Sequence, residues 1–387
     1  MKNRFTLMLV FFFWIPMVTR FAHAADQKEP LNIYVPGSYT GMMPFLADGI
    51  LEVVQTYAND ANKSGGLLGR KIKVIAQDDK ADLATAGKNA EIAIRDPNHF
   101  LTIGHSFSSI ATPIARLYNS NNKLFLTAYA TSPKISEVRG TAFQLCFNDL
   151  FQGKTLASVA TTRLKAKNIL VLTNKTDLYS DGLSEEFAKQ LDNHKPKVKV
   201  TTYDYIFDRL DVLELSEKIR EIKPDLIFLP ELKVNAASIL RTLATHGHGK
   251  IPVLGSDGWG SEEGTLDIFF SGAERSVEGK YFYTYHWHPD IALPSNKKLI
   301  NRMKQLSPRK PYGPGVLAFE GVDQVFALAR SISSVDNLKL AKALRNSTYE
   351  GSTGRVRFLP SGVTERDLVL LQLTPSGLKL DSLVKPR

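Results

Sequence analysis

The stretch FLTIGHSFSSIATPIA, Phe100–Ala115, decides how the rest of the chain is read. An apolar run ends in Gly104-His105-Ser106, and a pattern with helical spacing follows. Strand, tight turn and helix serve two chemistries. One is the turn that exposes a nucleophilic serine, which wants glycine two residues before and two after it, because side chains do not fit so sharp a bend. Gly104 meets the first demand for Ser106, but Ser108 occupies the second position. A hydrolase using Ser106 would further need an acid and then a histidine downstream. Asp257 with His286 or His288 has the right order, but no spacing selects them. The other chemistry is a cradle for an anion. Ser108 and Ser109 stand where the helix starts, so their hydroxyls join the free N–H groups of the first turn and the positive end of the helix dipole. Ser108 capping only its own helix is the structural alternative.

Outward from this stretch, apolar runs and helical patterns alternate. Strands are expected at 31–35, 71–77, 100–104 and 123–128, then again at 168–173, 199–206, 225–230 and 251–255. Ile50, Val53, Val54, Tyr57 and Ala61 repeat at helical spacing. So do Leu83, Ala86, Ala90 and Ala93, and Ala236, Ile239, Leu240 and Leu243. Continuous apolar strands between amphipathic helices imply parallel sheets covered on both faces. Two such series predict two α/β lobes. A long helix is expected over 315–332, and GRVRFLP and RDLVLLQLT read as two further strands. Ligands of open α/β sheets bind beyond the carboxyl ends of strands. The loops to watch are therefore 36–41, 105–109, 129–131, 174–179, 231–232 and 256–259.

Composition narrows the class. With 43% hydrophobic and 23% charged residues, the 387-residue chain is ordinary for a globular protein and long enough for two domains. Lys2 and Arg4, the apolar run 7–18 and Ala22-His23-Ala24 read as a secretory signal peptide over residues 1–24. No cysteine lies near that cleavage site, so the exported chain is expected without a lipid anchor, in a periplasm. Without Lys2, Arg4 and Arg20 the net charge falls from +10 to +7. The charges are spread, and no basic run is interleaved with aromatics, so no nucleic-acid partner is expected. Cys146, in FQLCFND, reads as a small buried apolar residue. His246-x-His248 and His286-x-His288 have chelating spacing but no acidic or cysteine companions, so no metal is expected. KSGGLLGRK, 63–71, lies between a helix and a strand, the reverse of a phosphate loop; no cofactor is expected.

Two further loops carry candidates. Tyr129 and Thr131 follow a strand in LFLTAYATSP, and Asp257 follows another in the glycine-rich VLGSDGWG, where a carboxylate can hold a ligand cation or simply make an Asp-Gly turn. Together the motifs resemble those of the periplasmic solute-binding proteins of branched-chain amino acid type, which serve ABC importers. The resemblance covers nearly all of the chain after residue 24. It rests on NDANKSGGLLGRKIKVIAQDD (59–79), IGHSFSSIATPIA (103–115), LTAYATSPKIS (126–136), YSDGL (179–183), VLGSDGW (253–259) and GSTGRVRFLPSG (351–362), in that order.

The resemblance implies the type I periplasmic binding protein fold: two doubly wound α/β lobes joined by three crossovers and closing on a ligand. It places the lobes at 30–148 plus 282–360 and at 149–281 plus 361–387. It implies that Ser108, with Ser109 beside it, holds a ligand carboxylate, and that Tyr129 and Thr131 contact both carboxylate and ammonium. Asp257 then pairs with the ammonium, and Tyr179 covers the ligand from the second lobe. Leu46 takes the place of a pocket aromatic, and Leu232 stands where some members have tyrosine. The implied protein is not an enzyme. It is a monomer that delivers a small ligand, first of all an amino acid, to an inner-membrane ABC permease. The same trap reporting to a membrane receptor is the alternative.

Overall fold

The computed structural model describes residues 28–41, 43–192, 196–260, 265–270, 280–307, 309–345 and 347–385. The signal peptide expected over 1–24 lies outside them.

The first lobe is built on β1 (Leu31–Gly37), β2 (Ile72–Asp78), β3 (His99–Ile103), β4 (Phe125–Thr127) and β5 (Ala142–Gln144). All pairs are parallel, in the order β2-β1-β3-β4-β5. The order reverses between β1 and β3, so the loops leaving their carboxyl ends part and leave a crevice there. The second lobe uses β6 (Asn168–Asn174), β7 (Lys199–Tyr205), β8 (Leu226–Leu229), β9 (Val253–Gly255) and β10 (Tyr281–Tyr285), again parallel. A small antiparallel sheet follows: β11 (Thr348–Gly351), β12 (Gly354–Phe358) and β13 (Thr364–Glu365). The chain ends in β14 (Leu368–Thr374) and β15 (Gly377–Val384), which extend the second sheet antiparallel beyond β10.

The helical faces explain the layers. Ile50, Val53, Val54, Tyr57 and Ala61 are buried on helix Pro44–Lys63, and Ala236, Ile239, Leu240 and Leu243 on helix Lys233–Thr245. Helix Leu83–Arg95 buries Ala86, Ala90 and Ala93, but Leu83 is 46% exposed. It is the first residue of that helix, before the turn has closed onto the sheet. Helix Gly313–Ser331 is buried along most of its length, as its apolar run demands. Cys146 is fully buried, and its thiol donates to the Ala130 carbonyl.

The chain passes between the sheets three times: between β5 and β6, between β10 and β11, and between β13 and β14. Pairing shifts two of the expected boundaries. Tyr281–Tyr285 pairs with β9 and β14, so that strand stays whole in the second lobe rather than dividing at 281/282. At the last crossing, Val363 bridges Gln144 and the Thr364 hydroxyl donates to the carbonyls of Leu145 and Cys146. Residues 363–364 therefore still belong with the first lobe, and the crossing falls just before β14. The first and third crossings are thus tied side by side.

Candidate functional site

The wall on the first lobe begins at Gly104. A Cβ there would lie 2.1 Å from the Pro36 carbonyl oxygen, so only glycine lets β3 leave its sheet this close to β1. His105 follows with φ 33°, a strained value for a residue with a side chain. The strain is held by partners on three sides. Its N–H donates to the Pro36 carbonyl, its own carbonyl accepts from the Thr127 hydroxyl, and its Nδ1 lies 2.7 Å from Asp79 Oδ2. Both side chains of that pair are buried. The turn delivers Ser106 and Phe107 to the crevice, and helix Ser108–Ser120 starts immediately after. Ser108 is the first helical residue, one place later than a cap, and no side chain caps this helix. Its hydroxyl instead accepts from the Ser132 N–H at 3.2 Å. Among the described residues no side-chain cap therefore competes for the free amides of the first turn.

The wall on the second lobe centres on Asp257, in the short 3-10 turn Asp257–Trp259 after β9. Its Oδ1 accepts from the Tyr179 phenol at 2.6 Å and from Gln152 Nε2 at 2.5 Å. The Gly258 N–H donates to the Tyr179 oxygen at 3.0 Å. His286 Nε2 lies 3.1 Å from Asp257 Oδ2, although neither ring nitrogen is aligned for a hydrogen bond. Burial, with Asp257 beside it, pushes the Tyr179 phenol well above its ordinary value. Burial and Asp257 likewise push the Asp149 carboxyl well up. Burial also raises Asp177, and it raises Glu231, whose carboxylate accepts from Tyr205 and Asn174. The wall is rich in desolvated acids.

Between the walls lies a narrow cleft that opens partly to solvent. Of the residues singled out from sequence, Ser108, Tyr129, Thr131, Tyr179, Leu232 and Asp257 all line it. Two do not. Ser109 is exposed on the outer side of its helix, because one residue of helix turns a side chain through about 100°. Leu46 is 1% exposed in the first-lobe core, where its carbonyl accepts from the Tyr312 hydroxyl. Ser106, weighed from sequence only as a hydrolase nucleophile, also lines the cleft. Asp177 and Phe107 line it too and were not singled out. Asp177 lies in the 174–179 loop at the end of β6, so its position was marked although its identity was passed over.

The contacts that a serine hydrolase would need are partly present and partly absent. Asp257 and His286 do meet, but the His286 nitrogens have no hydrogen-bond partner, so no hydroxyl is bonded to that ring. The other histidine pair separates: His246 Nδ1 lies by the Thr242 carbonyl, and His248 Nε2 by the Ser216 hydroxyl. Among the described residues no group of three His, Cys, Asp or Glu is placed to hold a metal ion.

Known proteins are similar to this chain in architecture and, more distantly, in sequence. A leucine-binding protein LivK from Thermotoga maritima superposes with a TM-score of 0.81 at 22% identity, covering 92% of this chain and 99% of that one. LivJ from Streptococcus pneumoniae, solved with isoleucine, gives 0.80 at 17% identity over 92% and 100%. A solute-binding protein from R. palustris, solved with 4-hydroxybenzoate, gives 0.78 at 15% identity over 92% and 97%. In sequence, the leucine-, isoleucine-, valine-, threonine- and alanine-binding protein of Pseudomonas aeruginosa is 26% identical over 354 residues, 89% of this chain and 90% of its own. The family described as periplasmic binding protein matches residues 30–378. With two parallel-sheet lobes, three crossings and a cleft between them, the chain belongs to the periplasmic binding protein family.

Proposed function

We propose that this protein is an exported substrate-binding protein that captures an amino acid between its lobes and delivers it to an inner-membrane ABC permease. One observation carries the choice of ligand. The two walls of the cleft have opposite chemistry. The first-lobe wall offers hydroxyls and the free amides of a helix start, at Ser106, Ser108 and Thr131. The second-lobe wall offers a phenol and a buried carboxylate, at Tyr179 and Asp257. A molecule with a carboxylate at one end and an ammonium beside it satisfies both. Burying either charge without its partner is strongly unfavourable.

The mechanism needs no bond to be made or broken. Ligand settles on the first wall, the second wall reaches it only when the lobes are together, and the closed form gains population. The permease then reads the closed pair of lobes. Export through the segment 1–24 and function as a monomer complete the reading.

Titration calorimetry on Asp257→Asn tests it. The change keeps the shape and removes the charge. Losing one member of such a pair costs about 2–5 kcal/mol, roughly 30- to 5000-fold in affinity. Unchanged affinity for a bound amino acid would remove Asp257 from the ammonium site. Labelling of the protein by a fluorophosphonate would contradict a role confined to binding.

A further inference from the structure

In the reading above, Asp257 takes the ammonium of an amino acid and the first-lobe wall takes its carboxylate. Asp177 remains. It lies in the turn after β6, two residues before Tyr179, and lines the cleft on the second lobe. Its Oδ1 accepts from the Tyr179 N–H at 3.1 Å, which fixes the side chain. Its Oδ2 is buried and meets no donor among the described residues. A buried carboxylate oxygen without a partner is unfavourable, and a ligand with an apolar side chain would seal it in that state. What fills the cleft is what can supply the missing donor.

The surroundings favour a charged donor. Asp177 stands beside buried acids: burial first, and Asp177 as a lesser cause, disfavours the charged forms of Asp149 and Glu231. Their neutralising partners are engaged elsewhere. The carboxylate of Glu231 is held by Asn174 and Tyr205, and Lys233 Nζ donates to Thr265 and lies 4.8 Å from the centre of the Phe45 ring. His286 faces Asp257. An aliphatic ligand would add nothing positive to this end of the cleft. A side chain ending in ammonium or guanidinium would.

We propose that Asp177 is a specificity-determining residue that selects an amino acid whose side chain carries a positively charged nitrogen. This rests on the amino-acid reading above and narrows it to a basic side chain.

Titration calorimetry of the mature protein, as wild type, Asp177→Asn and Asp177→Leu, against arginine, lysine, glutamine and leucine tests it. Wild type should bind arginine or lysine at least about tenfold more tightly than leucine. Asp177→Asn should weaken the basic ligands by about 30-fold or more while changing glutamine far less. Asp177→Leu should reverse the order in favour of leucine. Circular dichroism on the variants confirms that they are folded. Tighter binding of leucine by wild type would overturn the role of Asp177 and leave the amino-acid reading standing. So would equal losses for all four ligands in Asp177→Asn. Binding of benzoate or 4-hydroxybenzoate with no response to any amino acid would overturn both.

Discussion

Ser106 and Ser108 are two residues apart and both reach the cleft, yet their situations differ. Ser108 opens the helix and its hydroxyl is fixed by the Ser132 N–H, so its remaining hydrogen-bonding capacity has a defined direction. Ser106 lies on the turn held by His105 and Asp79. Ser108→Ala should therefore weaken ligand binding by about 1.5–3 kcal/mol, the scale of a hydrogen bond to a charged group. Ser106→Ala should cost less. Calorimetry on the two single variants checks the order, and the reverse order would move the carboxylate to Ser106. Sequence made the hydroxyls visible because they follow a strand and open a helix. It did not separate them, because which hydroxyl has a competing internal partner depends on Ser132, 24 residues away.

Two elements carry charges or titrating groups away from the cleft. Arg366, at the third crossing, is 1% exposed and pairs with Glu320 on helix Gly313–Ser331 at 3.1 Å. It also donates to the Leu145 carbonyl, so it binds the first crossing to the third. Glu320→Ala should lose about 3–5 kcal/mol of stability, because the guanidinium stays buried and uncompensated. Glu320→Leu combined with Arg366→Met should recover a large part of that loss. Urea unfolding of the three proteins checks both statements, and a double variant no better than the single one would show that the pair does more than balance charge.

His99, at the start of β3, is buried between Asn337 and Thr102. Burial lowers its pKa from 6.5 to about 4. The fold therefore favours the neutral ring. This contribution is fully present above the unfolded value near 6.5 and is lost as pH falls through about 4. Unfolding measured at pH 7 and pH 4 should show a difference about 3 kcal/mol smaller in His99→Gln than in wild type. An equal difference in both proteins would locate the acid sensitivity elsewhere.

For the whole molecule, the cleft residues come from both lobes, and the proposed function requires Tyr179 and Asp257 to reach a ligand on the first wall by closure of the lobes. Small-angle scattering should show the protein contracting on addition of saturating ligand, with the radius of gyration unchanged by an amino acid that does not bind. An identical curve with and without ligand would argue against closure. At about 100 times its dissociation constant, the ligand should also add roughly 2.7 kcal/mol to stability, since it binds the folded form alone.

Periodicity is local, and what it determines is local: the strands of both series, the amphipathic helices between them, the buried Cys146 and the loops at strand ends were all legible without a partner in view. β5 and β13 were not: β5 lies in a run that was not read as a strand, and β13 has two residues, too few to display a period. Neither was the direction of β14 or the membership of β10, which pairing decides. The candidate site divides the same way. Ser108, Thr131 and Asp257 were singled out by residue type and place after a strand, and Tyr179 by the resemblance. Only the fold decided that Tyr179 bonds Asp257 across 78 positions and Gln152 across 105. It decided, too, that Ser109 turns outward and that one oxygen of Asp177 is left without a donor among the described residues. Hydrogen bonding and desolvation depend on which atoms surround a group in space, and the order of residues along a chain does not list them.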